Sequence, residues 1–539
     1  MMATMSFEVD EATIDVLGET LKPIHPAIDV VDGQAYVGIW LNCRVRKKNR
    51  VYFRPMPFLK RSDGTIILYH NSQLLELGLR ASYQPVEYEN CWTGEILDDV
   101  NPAEVYNEVR DNVEYYMDLM LKEEYDLVAL MVVLTYFVHL FETTPYALLW
   151  GTKRSCKTKL LKLMCCMSFN GVMSNNMSTS TLYRLIENAR ASLFIDEQEK
   201  LKDPGRMLDF RTLLLSGYKR GSVVYRTEKS EKDRLVPHPF HVFGFKALAN
   251  IGGLEDVLED RTITIVLRRS MNREKTDRDV DEKEPKWMEI RTKLVNLFFK
   301  YHDEVTKIYS LVKNAISPDP KLDELVDLAG PLYKLSSMLR ARNRELWIPI
   351  ITLAVFFERH GVQGLVERLI PLVRRHVSEV RVEDSTTTDG VVIATLLDII
   401  DEDKWIGVSE LTGTLAERLG VKKLDPRQVG RMLTRLGFRE KRQVKGLVEY
   451  YIQRNDLLRL AKVHGLDVEE EEEHVIDVRQ AELSVSDYVR SHGRVRDTEV
   501  IEALRNAGLS YDEAIKVINA APNIKFVKDE DGVWWLEPA

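Results

Sequence analysis

The residues best equipped for chemistry in this sequence lie in one segment, Gly151-Thr152-Lys153-Arg154-Ser155-Cys156-Lys157-Thr158. It is a near-match to the phosphate loop GxxxxGK(S/T), entered by an apolar strand from Tyr146 to Trp150 and left by a helix from Lys159 to Cys166. Backbone amides and a helix N-terminus in that order can cradle phosphate oxygens. Gly151, Lys153, Arg154, Ser155 and Cys156 would form the cradle, Lys157 would reach the β- and γ-phosphates, and Thr158 would hold magnesium. The departure from the motif is Cys156, where glycine is expected. A left-handed backbone there would cost roughly 1–2 kcal/mol.

Downstream, Ser192-Leu-Phe-Ile-Asp196-Glu197 reads as an apolar strand ending in two carboxylates. Asp196 would hold the magnesium through its water shell, and Glu197 would orient or deprotonate the attacking water. The plainer alternative is a strand that merely ends in acidic residues.

A second constellation is cationic. From Lys422 to Lys445 nine basic residues stand against two acidic ones, a local charge of +7 in a chain of net charge -9. Arg427, Arg431 and Arg435 recur every four residues and share one face of a helix that opens at Pro426. Lys441, Arg442 and Lys445 follow on a hairpin, the way a recognition helix and wing offer cations to a DNA groove. A solvated cationic face is the alternative. Between Arg44 and Arg61, basic residues interleave with Tyr52, Phe53 and Phe58, which suits either a single-strand-binding surface or a solvated hairpin.

These groups need a scaffold, and 539 residues with 45% hydrophobic and 29% charged composition call for several domains. Alternation and turn signals such as Ser62-Asp63-Gly64 predict a β-rich N-terminal domain over 1–100. A helical connector over 101–145 leads into an α/β P-loop core over 146–270. After it, 272–286 reads as a charged, exposed link, at the start of a helical lid that fills 271–385. The run 382–390 reads as a linker, with a winged helix at 386–466 built from three helices and a hairpin around Gly446. An acidic linker at 467–478 precedes a second winged helix at 479–539, read as a docking element. The fold class is therefore multidomain α/β.

The chain carries Thr181-Leu-Tyr-Arg-Leu-Ile-Glu187, Leu214-Leu-Ser-Gly-Tyr-Lys-Arg-Gly221 and Phe243-Gly-Phe-Lys246-Ala-Leu-Ala-Asn250-Ile-Gly252 in that order. Leu258-Glu-Asp-Arg261-Thr-Ile-Thr-Ile265, Arg342 and Trp347-Ile-Pro349 follow. With the phosphate loop, these make the stretch from Tyr146 to Ile452 resemble the AAA-like P-loop ATPase modules of plasmid, prophage and integrative-element replication proteins, which are helicase-like and often primase-associated. The resemblance implies ATP and magnesium as cofactors, a ring, commonly a hexamer, and DNA as the substrate. It also implies roles for single residues. Asn250 is placed like a polar sensor of the γ-phosphate, Arg261 like an arginine finger and Arg342 like a second sensor. Each has a structural alternative: Asn250 as a turn cap, Arg261 paired with Asp260 or Glu259, Arg342 as an exposed lid arginine.

Five cysteines without a CxxC pair argue against a disulfide scaffold or zinc site and fit a reducing cytoplasm. The most apolar run, Leu127 to Leu140, is too short to span a bilayer and contains His139, so no membrane role is expected. The combined expectation is an ATP-driven DNA motor in mobile-element replication, with a primase as a partner. The competing readings are a loader of protein on DNA, and an ATP-switched initiator or regulator that does not unwind.

Overall fold

A computed structural model describes residues 5–9, 12–16, 21–47, 50–86, 92–174, 177–196, 204–229, 235–250, 256–421, 424–444 and 447–466. Near the end it describes 485, 489, 494–496, 500, 501, 504, 517, 518, 521, 524–528 and 534–538. The chain divides into two compact units, Met1–Val380 and Arg381–Ala539.

In the first unit, alternating residues produce an antiparallel sheet of β1 (Ile28–Val31), β2 (Gln34–Lys47), β3 (Arg50–Arg61) and β4 (Ile66–Leu68), in that order. Asp32 and Gly33 both take positive φ, 54° and 72°, as a tight two-residue hairpin requires. At the Ser62-Asp63-Gly64 turn the Asp63 carboxylate accepts the Thr65 amide at 2.9 Å and the Arg61 guanidinium at 3.0 Å. Cross-strand register pairs Arg44 with Phe53 and Val45 with Tyr52. Successive side chains alternate faces, so Tyr52 and Phe53 point to opposite sides of the ribbon. The interleaved aromatic and basic residues therefore do not form one surface.

Helix α1 (Pro102–Tyr116) starts where Asn101 Oδ1 accepts the Ala103 and Glu104 amides. Helix α2 (Lys122–Phe137) is buried on every face from Glu124 onward, which explains its unbroken apolar run. No helix among the described residues is long and apolar enough to cross a membrane.

The α/β part holds five parallel strands: β5 (Tyr146–Gly151), β6 (Gly171–Ser174), β7 (Ser192–Ile195), β10 (Lys246–Asn250) and β11 (Thr262–Leu267). Their spatial order is β6-β7-β10-β5-β11. Helices α3 (Lys157–Met167), α4 (Thr179–Ala189) and α5 (Pro204–Ser216) connect them. Between α5 and β10 a separate antiparallel hairpin is formed by β8 (Val223–Lys229) and β9 (Leu235–His241). This hairpin is a separate sheet within the stretch 146–270 expected as a single α/β core.

The segment expected as an exposed link contains a short helix, Arg273–Asp277, capped by Asn272, before Pro285 opens α6 (Pro285–Ala315). With α7 (Ala341–Arg359) and α8 (Leu365–Thr386), α6 packs around α2, burying Trp287, Phe298 and Trp347. The expected linker at 382–390 falls where the two compact units divide, after Val380, but it is helical rather than a loop. Helix α8 runs to Thr386, and the only break is Thr387, whose hydroxyl caps α9 (Thr388–Leu397) by accepting the Gly390 amide at 3.1 Å.

In the second unit, α9 is followed by β12 (Lys404–Gly407), α10 (Val408–Arg418), α11 (Pro426–Arg435), β13 (Lys441–Val444), β14 (Leu447–Ile452) and α12 (Arg454–Val463). The three strands are ordered β12-β14-β13 over a core of Leu396, Leu411, Val429, Leu433 and Ile452. A separate small core around Val489, Val500, Ile518 and Leu536 belongs to strands β15 (Val495–Arg496), β16 (Ile524–Lys528) and β17 (Trp534–Pro538). The acidic run Glu469 to Glu473, Gly446 and Cys91 lie outside the described residues.

One buried ion cluster ties the helices of the first unit together. Asp126, only 1% exposed, accepts the Tyr106 hydroxyl at 2.6 Å, Arg110 Nε at 3.0 Å and Arg368 Nε at 2.8 Å. Next to it, buried Glu124 accepts Arg375 at 2.7 Å. Removing one partner of a buried pair leaves uncompensated charge. Asp126→Ala is therefore expected to cost about 3 kcal/mol, lowering the urea midpoint of the first unit. A midpoint unchanged within error would mean water replaces the carboxylate at no cost.

Candidate nucleotide site and cationic helix

The phosphate loop is shaped by two constraints of different kinds. A Cβ on Gly151 would stand 2.1 Å from Leu267 O and 2.8 Å from Ser155 Oγ, so only glycine fits at the end of β5. Arg154 and Cys156 both adopt left-handed backbones, φ 66° and 64°. The condition attached to Cys156 is thus met, and two non-glycine residues each carry roughly 1–2 kcal/mol of local strain. Cys156 is the N-cap of α3 and its side chain makes no capping bond, so the first-turn amides of α3 are left to face the loop.

Lys157 folds back over the loop, its ammonium donating to Gly151 O at 2.6 Å and Thr152 O at 2.8 Å. Lys153 and Arg154 are exposed, and Ser155 is buried. Thr158 Oγ1 donates to Asp196 Oδ2 at 2.5 Å, which brings together two residues 38 positions apart. A hydroxyl and one carboxylate beside a phosphate cradle fit magnesium, which is typically held by one or two carboxylates together with substrate phosphates and water. Among the described residues no cluster of three His, Cys, Asp or Glu could hold a metal by itself.

Glu197 lies outside the described residues. Asn250 ends β10 in register with Trp150, at the same end of the sheet as the loop; its side chain lies outside the described residues.

Arg261 and Arg342 are elsewhere. Thr262, the residue after Arg261, pairs with Tyr146 at the start of β5, while Leu267 pairs with Gly151 at its end. Five residues of strand separate the two, roughly 17 Å. Arg261 therefore stands at the opposite end of the sheet from the phosphate loop of its own chain. Its guanidinium lies 4.9 Å over the Tyr218 ring and donates to Val257 O. Arg342 lies 4.9 Å from the same ring, with Nε 3.4 Å from Asp260 Oδ2. Both cations thus lie over the Tyr218 ring, which stabilises them. The Asp260 pairing considered for Arg261 is made by Arg342 instead, so Arg342 is not simply an exposed lid arginine.

Sequence reasoning did not single out Tyr218 or Lys246. Lys246 is fully buried; its ammonium donates to Gly244 O at 2.9 Å, Val242 O at 3.1 Å and Gly217 O at 3.4 Å. Burial pushes it down to about 7. A lysine opening an apolar strand was the available signal.

In the second unit, Asp425 caps α11 by accepting the Arg427 amide at 2.8 Å, and Gln428 reaches back to the Asp425 amide at 3.2 Å. Val429 and Leu433 face the core, which turns Arg427, Arg431 and Arg435 to solvent. They are not equivalent. Arg435 pairs with Asp389, and Arg442 pairs with Glu449 at 2.7 Å while stacking 4.3 Å over Trp405. Arg427, Arg431 and Lys441 have no carboxylate partner among the described residues. Lys422, Lys423 and Lys445 lie outside them.

Because Cys156 is left-handed, Cys156→Gly relieves strain without enlarging the loop. The variant is expected to keep or raise ATP affinity in a fluorescence titration and to unfold at a slightly higher temperature. A large loss of affinity would show that the thiol itself holds the loop.

No family model matches the chain, and no curated protein matches it. Among solved structures it is similar to the SCCmec type IV Cch, described as an active helicase, at 11% identity and TM-score 0.38, over 86% of this chain and 97% of that one. It is similar also to a full-length MCM homolog from Methanopyrus kandleri, at 12% identity and TM-score 0.33, over 64% and 78%. A third likeness is to the apo C-terminal region of NrS-1, at 12% identity and TM-score 0.29, over 74% and 94%. These likenesses are too distant to carry an argument, and the chemistry rests on the residues themselves.

Proposed function

We propose that this chain is an ATP-hydrolysing motor that moves on or unwinds DNA as a ring of identical subunits, commonly six. The observation that carries it is the separation of parts across one sheet. The phosphate loop, Thr158 and Asp196 occupy one end, and Arg261 with Arg342 the other. Arginines placed so cannot reach the nucleotide of their own subunit, but they can reach that of a neighbour stacked end to end.

In this reading the α3 amides and Lys157 bind the phosphates, which requires the ammonium to leave the Gly151 and Thr152 carbonyls. Thr158 and Asp196 hold magnesium, which when bound neutralises charge on the β- and γ-phosphates. Glu197 orients or deprotonates the attacking water, and Asn250 positions it. Arg261 and Arg342 of the adjoining subunit stabilise the charge of the transferred phosphoryl group, with Tyr218 holding both guanidiniums in place. The second unit, read as a winged helix, binds duplex through α11 and its hairpin. The resemblance in sequence supports a role for the motor in replication of a mobile element, with a primase as a partner.

A second reading, an ATP-switched initiator or loader that does not unwind, is favoured by the two strained residues in the loop and by the folded-back Lys157. Strand displacement measured beside phosphate release separates them. A motor shows both, whereas a switch releases phosphate slowly and displaces no strand.

The trans arrangement predicts complementation. Arg261→Ala and Glu197→Gln chains are each expected to be inactive, since an arginine finger is generally worth about 10³–10⁵ in rate. Mixed, they are expected to recover part of the hydrolysis, because some interfaces then combine an intact Arg261 with an intact Glu197. No recovery in verified mixed oligomers sinks the role in trans.

Duplex binding by α11 predicts a salt signature. Each phosphate contact contributes about 0.9 to the slope of log affinity against log salt. Arg435 is committed to Asp389, so changing Arg427, Arg431 and Arg435 together to alanine is expected to flatten the slope by about 1.8, for two contacts, rather than three. An unchanged slope and affinity would make this helix a solvated face and move attention to the Arg44 to Arg61 hairpin.

A further inference from the structure

A cavity of about 560 Å³ opens in the first unit at the end of the sheet away from the phosphate loop, beside Ser192 at the start of β7 and Phe245 just before β10. Its size is that of a small-molecule site, and it is unusually rich in ionisable groups. Most of them are already engaged. Asp29 accepts the His25 amide at 2.8 Å and stands 3.7 Å from Arg190, whose guanidinium also donates to Ile28 O. Glu187 accepts the His241 amide at 3.0 Å and faces His238 at 3.4 Å.

Two groups on the wall are not engaged. The Arg220 side chain touches the Phe243 ring, 6.0 Å to its centre, and makes no ion pair or hydrogen bond among the described residues. His139 packs edge-on against Phe298, and its Nε2 is buried with no hydrogen-bond partner. Burial, and then the neighbouring Arg190, disfavour the charged form of His139, while Arg220 is exposed. Arg190 and Arg220 both line this cavity, and an oxyanion bound there can be held in bidentate fashion by such forks of N–H donors.

We propose that this cavity binds a small molecule bearing a carboxylate or phosphate, held by Arg220 and Arg190 and hydrogen-bonded by His139, with an apolar body against Phe243. The site is distinct from the phosphate loop and does not depend on ATP hydrolysis. A ligand here touches the first residue of the strand that ends at Asp196, so it is placed to act on the nucleotide site from behind.

The test is isothermal titration of the full chain carrying Lys157→Ala, which disables the phosphate loop, with pyrophosphate, adenosine monophosphate and citrate as probes. At least one probe is expected to bind once per chain. Adding Arg220→Ala is expected to weaken it about tenfold or more, the usual weight of a charge-assisted pair. Arg220→Gln, which retains a stem against Phe243, serves as a second variant, and circular dichroism confirms the fold of each. Preference for the phosphates over citrate identifies a phosphate ligand, and the reverse a carboxylate. Absence of binding by all three probes in the Lys157→Ala chain, or binding indifferent to Arg220, overturns the proposal.

Discussion

All five strands of the α/β sheet run in the same direction, and that shared polarity decides which side chains can meet. Strand β5 is interior. The chain leaves it toward β6 on one side and returns much later to β11 on the other, which opens a crevice at its carboxyl end. Loop, Thr158, Asp196 and the end of β10 collect there. The amino ends of the same strands collect Arg261, Tyr218 and Lys246. Both β5 and β11 are buried at most consecutive positions, as in a parallel sheet covered on both faces, with Thr262 in register with Tyr146.

At the crevice the chain places its glycine where space is limiting and leaves the left-handed positions to arginine and cysteine. Gly151 is excluded from bearing a Cβ by a backbone oxygen that cannot move, whereas Arg154 and Cys156 are excluded by nothing but conformational energy. Such strain persists when the flanking structure over-determines it. Here β5 and α3 are clamped by buried Leu148, Leu149, Leu160 and Met164, so a few kcal/mol in the loop is small beside the packing on either side. Strain located in a ligand loop is also the strain most easily relieved by a ligand.

Much of this was legible because it is local. The β5 strand, the loop, the apolar strand before Asp196, the Ser62-Asp63-Gly64 turn and the Pro426 helix each announce themselves within about ten residues through periodicity, capping or turn chemistry. Nothing local shows that Arg342 meets Asp260, that Tyr218 contacts two guanidiniums, or that Asp389 takes Arg435. Those pairs join distant positions and follow only from the packed structure. That the linker is helical rather than a loop has a related cause. Asp384-Ser-Thr-Thr-Thr-Asp389-Gly390 has the composition of a loop, yet threonine at the first cap of a helix uses the same hydrogen bond it would use in a turn.

In a chain of net charge -9 the cations of the second unit are sorted onto one helix and its hairpin. At physiological salt the field of an exposed charge decays over about 8 Å, so a phosphate docked on α11 responds to Arg427 and Arg431 rather than to the chain's total of -9. The helix has no freedom to place these cations elsewhere, because Val429 and Leu433 fix its other face in the core. Asp389 and Glu449 then draw Arg435 and Arg442 into pairs at its margin. The result is a narrow cationic surface with compensated edges. On the motor reading proposed above, affinity for a phosphate backbone would be limited to a few contacts, and a few contacts can be broken and remade at each step along a strand, which many could not.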